Sequence, residues 1–178
     1  MRVGAKIHRV KTCSSTNDLA KELALHGAEE GTVVMADEQT QGRGTRGRSW
    51  HSPRKMGIYA SIIFRPPHSN ISLLPLVAGL AIAEAISKST GIEVKLKWPN
   101  DLVWRKKKLG GILCESGFLG NQLSFAICGI GLNVLHSRDD FPRDIRRQAV
   151  SLKSITKKEI DKEKVLRKLW PALDDWYS

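Results

Sequence analysis

Read from the N-terminus, apolar and polar positions change period several times, and each change predicts an element. Lys6 to Val10 reads as a short first strand. Ser15 or Thr16 then stands where a helix cap belongs, with Asn17 and Asp18 in the first turn and Leu19, Ala20, Leu23 and Ala24 on one face, and Gly27 marks the end. Thr32 to Ala36 is β-rich and predicts a strand. From Asp37 to Pro53 the chain is polar and glycine-bearing without an apolar period, a loop long enough to expect function. Gly57 to Phe64 alternates, so Ile58, Ala60, Ile62 and Phe64 share a strand face, and Pro66-Pro67 stops it.

A long apolar helix follows from about Leu73 to Ser89, with Pro75 tolerated in its first turn and Gly91 as its stop. A strand into Trp98, a turn at Pro99-Asn100 and a strand at Leu102 to Trp104 come next. Leu109 to Glu115 and Leu123 to Cys128 pair around a Gly120-Asn121 turn. The last helix starts near Asp161, puts Val165, Leu166, Leu169, Trp170, Leu173 and Trp176 on one side, and should kink at Pro171. Strands clustered between residues 92 and 134 without alternating helices predict an α+β sheet covered by helices rather than a doubly wound fold.

Composition narrows the class. With 178 residues, 41% hydrophobic and 26% charged, the chain suits one globular domain. No apolar stretch follows Met1 to Lys6, so no signal peptide is read. The run Leu73 to Ile86 contains Pro75 and Glu84 and falls short of the ~20 residues of a membrane span. Cys13, Cys114 and Cys128 lie far apart, as do His8, His26, His51, His68 and His136, which argues against a disulfide framework and a zinc site and fits a reducing, cytoplasmic setting. The net charge of +11 asks for an anionic partner. Arg43, Arg46, Arg48, Arg54 and Lys55 crowd one glycine-bearing loop, and Arg105 to Lys108 form an unbroken run; both suit phosphate better than a nucleic-acid stripe. Cations from Arg143 to Lys168 read as solvated surface.

Gly42-Arg43-Gly44-Thr45-Arg46-Gly47 matches the G-x-G-x-x-G dinucleotide pattern, but that pattern needs a strand leading directly in and a helix leading directly out. A polar stretch precedes it and Arg48 to Pro53 follows, so the pattern is set aside. Glycines that let backbone amides approach oxygen, interleaved with guanidinium forks, suit an anionic ligand that orders the loop. Lys97-Trp98-Pro99-Asn100-Asp101 presents an amide and a carboxylate after a proline turn: Asp101 suits magnesium or a nucleotide hydroxyl, and an ordinary turn accounts for it as well. Lys108 stands at a strand mouth before Gly110 and Gly111, either as a ligand contact or as the end of a solvated run. Gly129-Ile130-Gly131-Leu132-Asn133 at a strand end suits a bulge or close packing over a flat ring.

The order and wording of these segments closely resemble the biotin–protein ligase family: Gly42-Arg43-Gly44-x-x-Gly47-Arg48-x-Trp50, then Lys97 to Asp101, then Lys108-x-x-Gly111-Ile112-Leu113, then Gly129-x-Gly131-x-Asn133, with Ser15-Thr16-Asn17 and Gln39 ahead. The resemblance runs from about residue 7 to 177. It implies a mixed, largely antiparallel sheet of the biotin/lipoate ligase type, related to class II aminoacyl-tRNA synthetases. It also implies ATP-dependent formation of biotinyl-adenylate with magnesium, then transfer to a lysine of a biotin carboxyl carrier protein. Lys108 and Arg43 would be catalytic. Ser15, Thr16, Asn17, Gln39, Gly42, Arg43, Gly44, Thr45, Lys108 and Gly111 would bind biotin. Arg43, Arg46, Arg48, Trp50, Asn100, Asp101 and Asn133 would bind ATP, with Asp101 the candidate for magnesium.

Thr45 stands where family members usually carry arginine. Residues 1–178 are expected to form one catalytic domain, without the N-terminal DNA-binding domain or the C-terminal β-barrel of other members, and so without DNA or membrane partners. Oligomeric state is open. Lipoate–protein ligase is the nearest rival, and a non-enzymatic nucleic-acid binder is a rival of another class.

Overall fold

The computed structural model describes residues 2–66, 71–120 and 122–178. Seven strands form one sheet in the order β1-β2-β3-β7-β6-β5-β4. They are β1 (Ile7–Cys13), β2 (Val33–Gln39), β3 (Gly57–Phe64), β4 (Lys95–Lys97), β5 (Asp101–Trp104), β6 (Lys107–Leu119) and β7 (Gln122–Asn133). β1 and β2 are parallel, and the other neighbours are antiparallel. Helices α1 (Thr16–Leu25), α2 (Leu74–Thr90), α3 (Leu152–Thr156) and α4 (Lys162–Tyr177) complete the chain.

Alternation predicted one buried face for β3, yet all eight of its residues are buried. The strand is central and both faces are covered. On one side Ile58, Ala60, Ile62 and Phe64 meet the apolar faces of α2 and α4; on the other Ile63 joins Val34, Phe125 and Ile127 beneath Ala20 and Ala24 of α1. α2 starts with Pro75 in its first turn and stops at Gly91, whose left-handed φ of 74° suits glycine. α4 is capped by the Asp161 carboxylate, which accepts from Glu163 N at 2.9 Å. Its stripe Val165, Leu166, Leu169 and Leu173 is buried, each such side chain contributing roughly 2 kcal/mol. The helix continues through Pro171, and Trp176 stays 44% exposed with its Nε1 on Glu84, outside the predicted stripe.

Other expectations need correction. β2 runs to Gln39, so the polar stretch assigned to the loop is partly strand. β7 runs unbroken through Gly129 and Gly131 to Asn133, and the register irregularity falls at Gly117/Phe118 instead. α3 was not foreseen. The Pro66-Pro67 stop and the Gly120-Asn121 turn extend onto Pro67 and Asn121, and His68 with them; these three lie outside the described residues. Arg65 fixes the end of α1 to the sheet, donating to Ala24 O at 3.0 Å, Ala28 O at 2.8 Å and Ser124 O at 3.1 Å. At the sheet's edges, β4 exposes Lys95 and Lys97 and β1 exposes Arg9 and Lys11.

Candidate active site

The β1–α1 turn, the end of β2 and the centres of β6 and β7 converge on one polar cleft. Ser15 takes the extended N-cap position of α1, but its side chain makes no capping bond. The orphan first-turn N–H of Thr16 is met from β2, where Gln39 Oε1 accepts from Thr16 N at 2.8 Å and from its Oγ1 at 3.0 Å. Gln39 Nε2 donates to Ser52 Oγ at 2.8 Å. Ser61, the serine of the mostly apolar β3, lies 2.7 Å from Thr16 Oγ1 and 2.6 Å from Asn17 Oδ1. Asn17 Nδ2 donates to Glu115 Oε2 at 2.6 Å. This chain of donors and acceptors floors a cavity of about 40 Å³ that Arg43, Gly44, Thr45, Trp50, Asn100 and Lys108 also line.

A second cavity of about 180 Å³ opens beside the first, lined by Arg48, His51, Asn133, Phe141, Ile145 and Gln148 among others. Gly44, Thr45, Trp50 and Lys108 line both. The Trp50 ring lies on the strands between them. A Cβ on Gly131 would sit 2.5 Å from Trp50 Cε2, and one on Gly129 would strike the amide of Asn17. The flat ring that Gly131 admits is thus the protein's own. Trp50 Nε1 is buried without a hydrogen-bond partner.

Charges are arranged with equal economy. Arg43 bridges Asp18 at 2.7 Å and Glu115 at 3.1 Å. Lys108 Nζ pairs with Asp101 Oδ1 at 2.7 Å and stands 5.3 Å from the Trp50 ring centroid. Two loops meet over the second cavity: His51 Nε2 lies 2.9 Å from Asp140 O, and the ring of buried His136 is 6.1 Å from His51 and stacks at 4.7 Å on Phe141. Burial first, then the neighbouring His51, holds the His136 imidazole down to about 4.

Of the residues expected in the site, Ser15, Thr16, Asn17, Gln39, Arg43, Gly44, Thr45, Lys108 and Gly111 line the first cavity. Gly42 sits behind it, close against Trp50 O and Ser52 Oγ. Arg48, Trp50 and Asn133 line the second cavity, where Asn133 Nδ2 donates to Val150 O at 3.2 Å. Asn100 reaches the first cavity with its amide bound to Ile112 O at 2.8 Å. Asp101 touches neither cavity and is paired with Lys108, while exposed Arg46, at a left-handed φ of 58°, lines neither. Sequence reading missed Asp18, Ser61, Glu115, His51 and the stretch Phe141 to Ala149. A lone serine in β3 was a signal for one of these. The loop after residue 42 leads into a three-residue 3-10 turn and then extended Arg48, so the missing helix still sets the dinucleotide pattern aside.

The Biotin/lipoate A/B protein ligase family matches residues 10–133, and the chain belongs to that family. It is 40% identical over 166 residues to the bifunctional ligase/repressor BirA of Bacillus spizizenii, covering 92% of this chain and 51% of that protein. It is 34% identical over 170 residues to the biotin–[acetyl-CoA-carboxylase] ligase of Paracoccus denitrificans, covering 92% and 70%. The biotin protein ligase of Aquifex aeolicus, solved in complex with biotin and ATP, superposes with a TM-score of 0.85 at 35% identity, over 97% of this chain and 70% of that one. The chain spans about half the length of the first two curated relatives it matches. The expected α+β fold of the biotin/lipoate ligase type is thereby borne out. No helix among the described residues is long and apolar enough to cross a membrane.

Proposed function

We propose that residues 1–178 form a catalytic domain that activates biotin with ATP and passes the biotinyl group to a lysine of a biotin carboxyl carrier protein, as in acetyl-CoA carboxylase. The observation that carries this is Lys108 at the junction of the two cavities. Joining a carboxylate to an α-phosphate presses two anions together, and a cation between them offsets the repulsion. The carboxylate oxygen attacks phosphorus, pyrophosphate leaves, and a carrier amine then attacks the acyl carbon and releases AMP. The biotin and ATP bound by the Aquifex relative, and the substrate named for the Paracoccus one, support the same reading.

Ser15, Thr16, Asn17 and Gln39 suit the ureido ring, which needs donors and acceptors together. Arg43 would leave Asp18 and Glu115 for the reacting oxygens, and Arg46 and Arg48 would follow on the same loop toward phosphate. Cavities of about 40 and 180 Å³ are below the roughly 300 Å³ of small-ligand sites, so Trp50 and the loop swing out to admit substrate. Among the described residues no group of three or more His, Cys, Asp or Glu converges as a metal cage. Magnesium fits as a passenger of the phosphates held at most by Asp101, neutralising phosphate charge when bound. The test is biotin-dependent exchange of labelled pyrophosphate into ATP, with and without magnesium, expected with biotin and absent with lipoate. Equal or faster exchange with lipoate would overturn the assignment.

A further inference from the structure

A wide concavity lies outside that chemistry. It is an open basin of about 770 Å³ behind the segment that walls the second cavity. The tip of the β5–β6 hairpin, the stretch after β7, and α3 with Lys157 enclose it. Arg105, Lys107, Arg138, Arg146, Lys153 and Lys157 line it, and no carboxylate does among the described residues. Arg146 pairs with Asp139 at 3.0 Å and Lys153 with Glu159 at 2.5 Å, but both carboxylates are largely solvated, so these pairs exchange readily. The other four cations have no acidic partner among the described residues. Cations gathered without counter-charge repel one another until an anion joins them. Backbone geometry sharpens the point: Arg105 at φ 45° and Lys157 at φ 59° occupy the left-handed region that glycine enters more cheaply. The chain keeps long cationic side chains at strained turns where they earn no contact with a carboxylate inside the fold.

We propose that this basin is a second anion site, taking a small molecule that carries several phosphates. Its volume is that of a small-ligand site, and guanidinium forks match phosphate oxygens. The cations converge from three sides of a bowl instead of tracking a strip. Of the rings that line it, Trp104 has one face covered by Arg105 at 4.6 Å, and His136 and Phe141 stack on each other at 4.7 Å, which leaves little open ring on which a base would stack. Nucleic acid is therefore disfavoured. Phe141 and Ala149 line both this basin and the second cavity, so an occupant would bear on the wall of the candidate active site.

The test is a calorimetric titration of the whole chain with tripolyphosphate, repeated with poly-glutamate and with a single-stranded RNA homopolymer. One variant combines Arg105→Ala, Lys107→Ala and Lys157→Ala. A control removes the same charge from exposed helix positions through Lys21→Ala, Lys164→Ala and Lys168→Ala. The expected result is a tripolyphosphate site, beside any at the ATP cleft, that is weakened about tenfold or more in the basin variant and nearly unchanged in the control. A change in tryptophan emission on titration should vanish in Trp104→Phe. No tripolyphosphate binding, or equal weakening in both variants, would overturn the proposal. So would tighter, basin-dependent binding of poly-glutamate or RNA, which would assign the surface to a macromolecule.

Discussion

Among four consecutive cations, one side chain reaches the cleft. Arg105, Lys106 and Lys107 are exposed, whereas Lys108 lines both cavities and is held by Asp101. Lys108→Ala should therefore cut adenylate formation roughly a hundredfold to a thousandfold, the usual effect of removing a charge aimed at the transition state. Lys106→Ala and Lys107→Ala should leave it nearly unchanged. Pyrophosphate exchange on the three variants decides this, and equal losses in all three would reduce the run to a generic basic patch. The adjacent glycines made Lys108 legible in the sequence. Asp18 and Glu115 were not legible, because a single carboxylate on a helix or strand says nothing of its partner until the fold delivers Arg43 between them.

At the level of elements, legibility followed punctuation and period. α2 was readable because Pro75 and Gly91 bracket an apolar run, and β6 and β7 because both are β-rich around a turn. β3 was read as one-sided because alternation cannot report a second layer, here supplied by α1. The stretch from Ser137 to α3 has no apolar period, so neither its latch through His51 nor the cavity it walls could be foreseen. The Gly42–Trp50 loop yields a prediction of its own. Thr45 anchors Arg48, whose Nε lies 3.3 Å from Thr45 O and whose Nη2 lies 3.3 Å from Thr45 Oγ1, and it offers a bound intermediate only a short neutral side chain. Escape of the mixed anhydride should accordingly be fast, with slow labelling of bystander lysines beside the carrier. Thr45→Arg should retard that release by adding charge-assisted bonds to the closed state. Preformed adenylate offered to carrier and to an unrelated lysine-rich protein together measures both, and release unchanged in Thr45→Arg with labelling confined to the carrier would contradict it.

For the molecule as a whole, His136 sets a dependence on pH. It is fully buried, neither ring nitrogen has a partner, and His51, Asp140 and Lys162 supply the charges around it. Its folded value of about 4 lies below the ordinary 6.5, so the unfolded chain takes up the proton first. The His136 contribution should be constant above pH 6.5, fall as pH drops toward 4 and then level off, by about 3 kcal/mol in all. Urea midpoints across that range should show the slope, and His136→Phe should flatten it. The sheet's edges carry another consequence. An open edge is a template on which a second chain can add a strand, and β4 and β1 meet that hazard with Lys95, Lys97, Arg9 and Lys11. Two copies approaching edge to edge face like charges, so part of the +11 excess keeps the folded protein soluble. Lys95→Val with Lys97→Val should make the chain self-associate as salt shortens the screening length to about 3 Å near 1 M, while the parent stays dispersed. Light scattering through a salt series would register the difference, and a β4 edge stripped of both lysines that stayed monodisperse would mean something other than charge guards it.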